Sequence, residues 1–221
     1  MKNFQWLYEH ALQHKGAALE SMLPEVLSDA SIAQLSENYI FSTLTRRVFR
    51  AGLKHSLVDS KWPAFEKAFF DFNPHKVALM SDEQLERLMQ NDQIIRHWGK
   101  IKATRLNAVM LTEIAEKQGS CARWIADWPE ENIIGLWSAL KQQGSHLGGN
   151  SGAYFLRMLG KDTFVLTDDV VAALKAQGVV DKKPTGKRDL QKVQDAFNQW
   201  RAESDRPLCH ISRLLSFTVG W

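Results

Sequence analysis

The sequence predicts an all-α protein of about ten short helices, and three observations carry that expectation. Apolar residues recur at helical spacing, as in Ile32, Leu35, Tyr39, Leu44 and Val48. Helix-start residues stand ahead of such runs: Ser81 with Gln84 three residues on, and Thr167 ahead of Val170. The period-two alternation of a half-buried strand is almost missing. The 221 residues, 44% hydrophobic and 24% charged, have ordinary globular composition. They suffice for one bilobal domain or two small ones.

The elements follow in order. After an N-terminal helix, the run from Ile32 to Val48 reads as one helix ending at Ala51-Gly52, where glycine suits the cap. Trp62-Pro63 and Asn73-Pro74 each begin a short helix, proline being suited to the first turn. Ser81 and Gln84 form a capping box before Leu85 and Leu88. Trp98, Ile101, Arg105 and Val109 extend a helix towards Gln118-Gly119. Pro129 opens another that carries Ile133, Trp137 and Leu140 and stops at Gly144. Ser151–Leu159 is short and closed by Gly160, and Thr167 caps the run to Gln177. Two last helices occupy about 187–202 and 208–218, after the linker-like DKKPTGKR at Asp181 to Arg188. Most of the eight tryptophans are expected to pack helices.

Composition also bounds the setting. Mean hydropathy is −0.31, and no apolar run approaches the roughly 18 residues of a membrane span. The start MKNFQWLYEHALQHK has neither the apolar stretch nor the cleavage site of a secretory signal. Two cysteines, Cys121 and Cys209, exclude a disulfide framework and a cysteine-rich zinc site, so a reducing, cytoplasmic location is expected. Cys121 reads as buried, since no partner base is evident. Cys209 and His210 are adjacent, without a second ligand pair, so they do not read as a metal site.

Net charge is only +3, from 28 basic and 25 acidic residues, but the charges segregate. Asn38 to Val58 holds Arg46, Arg47, Arg50 and Lys54 and no acid. Gln93 to Thr112 and Trp137 to Lys161 are likewise basic and acid-free. Segregation of this kind makes a basic face on a near-neutral protein, or simply solvates helix surfaces. Arg96, His97, Arg206 and Arg213 read as surface or inter-lobe residues rather than catalysts.

The informative stretch is Pro129 to Gly178. It reads as two helices joined by Gly144-Ser145-His146-Leu147-Gly148-Gly149, then a loop, Thr167-Asp168-Asp169 and a helix. Such a glycine-rich turn brings backbone N–H groups and the positive end of a helix dipole to an anion, and a DNA phosphate fits without sequence preference. Gly148, Gly149, Asn150 and Ser151 are the expected DNA contacts. An ordinary helical connection remains the alternative.

From Gly149-Asn150-Ser151-Gly152-Ala153 to Phe164-Val165-Leu166-Thr167-Asp168-Asp169-Val170, the chain resembles the helix-hairpin-helix DNA glycosylase superfamily. The resemblance implies that Asp169, with Asp168 as runner-up, is the catalytic carboxylate. The two would otherwise serve only to favour a helix N-terminus. Bifunctional members place a nucleophilic lysine where Ser151 stands, which implies a monofunctional enzyme that uses water. The segment Phe65 to Ala108 resembles the 3-methyladenine DNA glycosylase I family more closely, through Phe72, Pro74, Val77, Met80, Leu85, Leu88, Ile94-Ile95-Arg96-His97, Gly99-Lys100-Ile101, Ala103 and Asn107-Ala108. Ala51-Gly52-Leu53 falls at that family's spacing upstream.

The chain departs from the family at several positions. Arg47 stands where the family has a base-recognising glutamate, and a guanidinium cannot accept a hydrogen bond from an exocyclic amine. His55 replaces a pocket tryptophan; Arg47 and His55 are the expected base-pocket residues. Leu147 replaces an earlier hairpin glycine. The zinc ligands are missing, with Asp169 in place of a histidine, so no metal and no cofactor are expected.

These readings imply a bilobal helix-hairpin-helix glycosylase-like fold with a cleft between lobes. One lobe would hold 1–42 and 165–221; the other would be 43–164 with the hairpin. The expected function is a monomeric, monofunctional DNA glycosylase of base-excision repair, removing a damaged, alkylated base from double-stranded DNA, with no membrane role. A non-catalytic hairpin protein that binds DNA and a helical protein-interaction module are the alternatives.

Overall fold

A computed structural model describes residues 1–219. Among them are fourteen α-helices, four 3-10 turns and no strand. The helices outnumber the expected ten because several are a turn or two long. The run from Ile32 to Val48 is two helices, α2 (Asp29–Ile32) and α3 (Glu37–Arg50). Ser36 divides them, its extended backbone letting the side chain accept a hydrogen bond from the Tyr39 N–H. Next come α4 (His55–Ser60), α5 (Trp62–Ala68), α6 (Pro74–Ala78) and α7 (Asp82–Leu88). The Ser81–Gln84 capping box is formed in both directions, and Asn73 caps α6. A 3-10 turn at Glu130–Asn132 separates Pro129 from the helix it was expected to open.

The chain divides into two compact units. The first comprises Met1–Leu27, Trp128–Leu136 and the chain from Gly160; the second comprises Ser28–Asp127 and Trp137–Leu159. This differs from the expected lobes at both ends. A boundary at residue 42 would cut through α3, whose Ile40, Phe41, Leu44, Val48 and Phe49 are all buried. Residues 128–136 join the first unit because Glu130 pairs at 2.6 Å with the fully buried Lys161 ammonium, and Gln194 bonds the backbone at Glu130 and Ile134.

The first unit packs α1 (Phe4–Lys15), α12 (Asp168–Ala176), α13 (Lys187–Ser204) and α14 (Leu208–Ser216). Phe164 stacks on Phe197 with centroids 4.1 Å apart, and Phe197 meets Trp200 edge-on. The buried Asp162 carboxylate accepts hydrogen bonds from the Leu208 and Cys209 N–H groups, at 2.7 and 2.9 Å, which fills the N-terminus of α14.

The second unit is built on α8 (Trp98–Gln118), against which α3, α6 and α9 (Cys121–Ala126) pack. Its centre is aromatic: Phe41, Phe49, Trp62, Phe65, Phe69 and Phe72. Phe70, Asp71 and Phe72 make a left-handed turn, with φ of 53°, 52° and 53° and no glycine. Left-handed backbone costs each such residue roughly 1–2 kcal/mol, and the burial of Phe69 and Phe72 on either side holds it. Of the tryptophans, Trp62, Trp137 and Trp200 are buried; Trp6, Trp98, Trp124 and Trp128 are only half-buried.

Candidate active site

In the first unit, Asp168 and Asp169 lie in the opening turn of α12. The segment before it, Lys161 to Leu166, is buried throughout. Ser212 pins its middle, with Oγ accepting from the Val165 N–H and donating to the Val165 carbonyl. Thr167 then caps the helix by accepting from the Val170 N–H at 3.2 Å. The two carboxylates therefore start from a rigid base and point into solvent. Asp168, its side chain 98% exposed, lies 3.5 Å from the Lys183 ammonium. Among the described residues no ion pair engages Asp169, which leaves its carboxylate the more available of the two.

In the second unit, two distant stretches form a basic pocket of about 690 Å³. It is lined by Arg47 and by Arg50 to Lys54 at and after the end of α3, by His55 at the start of α4, and by Tyr154, Arg157 and Met158 on α11 (Ser151–Leu159). Arg47, Arg50, Lys54 and Arg157 line it, and among the described residues no carboxylate does. Asp59, outside the lining, grips Arg50 with both oxygens, at 2.7 and 2.6 Å from Nη2. Among the described residues Arg47 has no such carboxylate partner. Its guanidinium lies 4.7 Å over the Tyr154 ring, and its Nε is buried without a hydrogen-bond acceptor. Burial pushes the Arg47 pKa below its ordinary value, and Arg50 pushes the same way, while Tyr154 opposes them. Lys100 supports this wall from behind: its buried ammonium donates to the carbonyls of Phe49 and Ala51, at 3.1 and 2.6 Å, where α3 ends. Gly52 then turns the chain at φ +77°.

The expected pocket residues Arg47 and His55 thus share one pocket. Tyr154 and Arg157 escaped sequence reading. Their spacing of three places them together on one face of α11, and the acid-free stretch around them was the available signal.

The hairpin joins α10 (Ile133–Gln143) to α11 in a loop anchored on α8. The buried Asn107 amide donates to the Ser145 carbonyl at 3.1 Å and accepts from the Ser145 N–H at 2.7 Å. Leu147 is buried, which explains a leucine where the resemblance implied glycine: it fills core space at the loop's base. Gly148 and Gly149 are exposed, and a Cβ on Gly149 would meet nothing, although its φ of +57° favours glycine. The first turn of α11 holds no acid. Gly148 and Gly149 therefore present an open backbone surface, with Lys141 alongside Gly148, while Asn150 and Ser151 are half-buried and the Ser151 N–H donates to the Gly148 carbonyl at 3.1 Å.

Other candidates resolve into structural parts. Cys121 is buried, with its thiol donating to the Leu111 carbonyl and its pKa raised far up by burial and by Glu37. His210 Nε2 donates to the Pro24 carbonyl. Arg206 forms a two-point pair with Glu20, and Arg213 lies over Phe217. His97 caps α8 through Nδ1. Among the described residues no group of three metal-ligating side chains is assembled, and no helix is long and apolar enough to cross a membrane.

This arrangement is the fold of the helical DNA glycosylases. An 8-oxoguanine DNA glycosylase of Methanocaldococcus jannaschii aligns with 94% of this chain and 91% of its own, at 15% identity and a TM-score of 0.59. The 3-methyladenine DNA glycosylase I of Staphylococcus aureus aligns with 70% of this chain and 90% of its own, at 24% identity and a TM-score of 0.53. Residues 31–185 match the methyladenine glycosylase family, and the chain belongs to that family. DNA-3-methyladenine glycosylase 1 of Escherichia coli (strain K12) is 36% identical over 77 residues, 35% of this chain; the match spans 41% of that relative's length.

Proposed function

We propose that the protein is a monofunctional DNA glycosylase of base-excision repair, which hydrolyses the N-glycosidic bond of a damaged, alkylated base in double-stranded DNA. The observation that carries this reading is that the span matching the family, residues 31–185, includes the basic pocket, the hairpin and both aspartates.

The chemistry follows from the residues. The glycosidic bond is shielded inside a duplex, so the target base leaves the stack and enters the pocket lined by Arg47 and His55. The exposed, glycine-lined approach to α11 at Gly148 and Gly149 lets a phosphate come close to the backbone of the Gly148 to Ser151 turn, which positions the strand without reading its sequence. As the C1′–N bond breaks, its electron pair goes to the base and positive charge develops on the sugar. The Asp169 carboxylate stabilises that charge and takes a proton from the water whose oxygen bonds to C1′. That proton passes to solvent when the departing base was cationic, and to the released base when it was uncharged. Ser151 has no amine to form a Schiff base with the sugar, so the reaction stops at the abasic site. Water is the only co-reactant, and the protein works as a cytoplasmic monomer without metal.

The test is single-turnover base release from duplexes carrying methylated purines. The expected result is a free base and an intact abasic strand that breaks only on alkaline treatment. Cleavage without alkali would overturn monofunctionality. Duplex binding with no release of any base would favour the non-catalytic alternative, and absence of salt-dependent duplex binding would favour the protein-interaction module.

A further inference from the structure

We propose that the pocket around Arg47 selects an uncharged base with adjacent hydrogen-bond acceptors, in preference to the cationic N3- and N7-methylated purines. This rests on the glycosylase reading above and widens its substrate class from alkylated bases to uncharged damaged bases, alkylated or not.

Three features point there. First, the pocket's charge is one-sided. Among the described residues Arg47 and Lys54 line it with no carboxylate in the lining, and the neighbouring Asp59 is already committed to Arg50. A base bearing a positive charge would meet the Arg47 guanidinium with no lining carboxylate to offset the repulsion. Second, Arg47 is fixed. Its guanidinium lies 4.7 Å over the Tyr154 ring, and among the described residues no carboxylate or carbonyl accepts a hydrogen bond from it. A guanidinium presents parallel N–H donors, which match two neighbouring acceptors on a base edge, as on a purine with O6 and N7 free. Hypoxanthine offers that pair, and 1,N6-ethenoadenine, an uncharged alkylation adduct, offers ring-nitrogen acceptors.

Third, the leaving group needs what Arg47 supplies. A cationic methylated purine departs as a neutral molecule when it takes the C1′–N electron pair. An uncharged base departs with negative charge until the proton from water reaches it. A preorganised cation beside the departing base stabilises that charge as it develops, and such groups are commonly worth about 10²–10³ in rate. Lys100, held behind Arg47 by two backbone carbonyls, adds to the same field.

The experiment measures single-turnover release from duplexes identical but for one base: hypoxanthine, 1,N6-ethenoadenine, 7-methylguanine or 3-methyladenine. Wild type, Arg47→Gln, Arg47→Lys and Arg47→Glu are compared, with melting curves to establish folding. Wild type is expected to release the uncharged bases at least about tenfold faster than the cationic ones, after correction for spontaneous loss. Arg47→Gln should lower release of uncharged bases by about 10²-fold and leave cationic ones unchanged or faster. Arg47→Lys should recover part of the loss, and Arg47→Glu should reverse the order. Equal or faster release of cationic bases by wild type, or an equal loss on both classes in Arg47→Gln, would overturn the proposal while leaving the glycosylase reading standing. If wild type releases nothing, that reading fails instead. The pocket is then judged by affinity: tighter binding of the hypoxanthine duplex than of its undamaged parent, lost in Arg47→Gln, supports it, and equal affinities overturn it.

Discussion

The starts of α11 and α12 are the same piece of backbone chemistry furnished with opposite side chains. Each exposes the donors and positive dipole end of a helix N-terminus. At α12 the sequence supplies its own anions, Asp168 and Asp169, and a side-chain cap in Thr167. At α11 it supplies no acid in the first turn and places glycines in the approach. One end carries its own negative charge outwards; the other carries none in its first turn and is the one proposed to meet a phosphate. A helix N-terminus is therefore not informative alone. What decides its role is whether the first turn carries acids and how closely another molecule can approach.

Four experiments break or sharpen that contrast. The largest effect is expected at α12. Asp169→Asn keeps the shape and should keep the fold, but it removes the carboxylate proposed to stabilise the sugar's charge. Base release should fall on the order of 10²-fold or more, with DNA binding kept or slightly tightened. Asp168→Asn, which loses only an exposed contact with Lys183, should cost far less. Equal release by wild type and Asp169→Asn in single-turnover assays would remove the proposed role.

Next comes the scaffold of α11. A Cβ on Gly144 would stand 2.5 Å from Leu147 Cδ1 and 2.9 Å from both the Leu140 carbonyl and Met110 Sδ. Gly144→Ala should therefore destabilise the protein by about 1–3 kcal/mol, the usual cost of overpacking, read by denaturant unfolding. An unchanged midpoint would mean that the loop can relax.

The hairpin's open end comes third. Gly149→Glu should weaken binding to every duplex by about tenfold, the effect of placing an anion about 4 Å from a phosphate in partly screened surroundings. Gly149→Ala is the control, sharing the strain of φ +57° without the charge. Equal loss in both variants would assign the effect to backbone geometry.

The smallest effect lies away from both helix starts. Arg206 holds the Glu20 carboxyl below its ordinary pKa, chiefly by hydrogen bonding. The folded protein thus binds that proton less readily than the unfolded chain. The pair's contribution is present above the ordinary value of 4.5 and is lost as pH falls through the lower, folded value. Glu20→Gln should lower stability at neutral pH by under about 1 kcal/mol, as expected of an exposed pair. It should also flatten the acid limb of a melting-temperature profile. An unchanged acid limb would show the pair to be inert.

The local chemistry of the fold was legible in the sequence. The Ser81–Gln84 box, the Asn73-Pro74 start and the bounds of Ser151–Leu159 all depend on residues within a few positions of one another. Features set by tertiary packing were not. The interruption at Ser36 lies within an otherwise helical run of apolar residues. The left-handed turn at Phe70–Phe72 carries no glycine to announce it, and only the burial around it sustains the backbone. The pocket needed most: Arg47 and His55 were reached through family resemblance, whereas Tyr154 and Arg157 lie about a hundred positions away and join them only because α11 packs on α3.

The Asn107 amide has a consequence for how this loop could be moved between proteins. By meeting both polar groups of Ser145, it acts as a surrogate peptide unit, giving the loop the pairing a neighbouring strand would otherwise provide. Together with Met110 against Gly144, it makes α8 part of the loop's own definition. A graft of residues 144–151 alone would carry the glycines and leave behind the mould that shapes them. The smallest portable unit is the loop with its stretch of α8, two segments far apart in the chain.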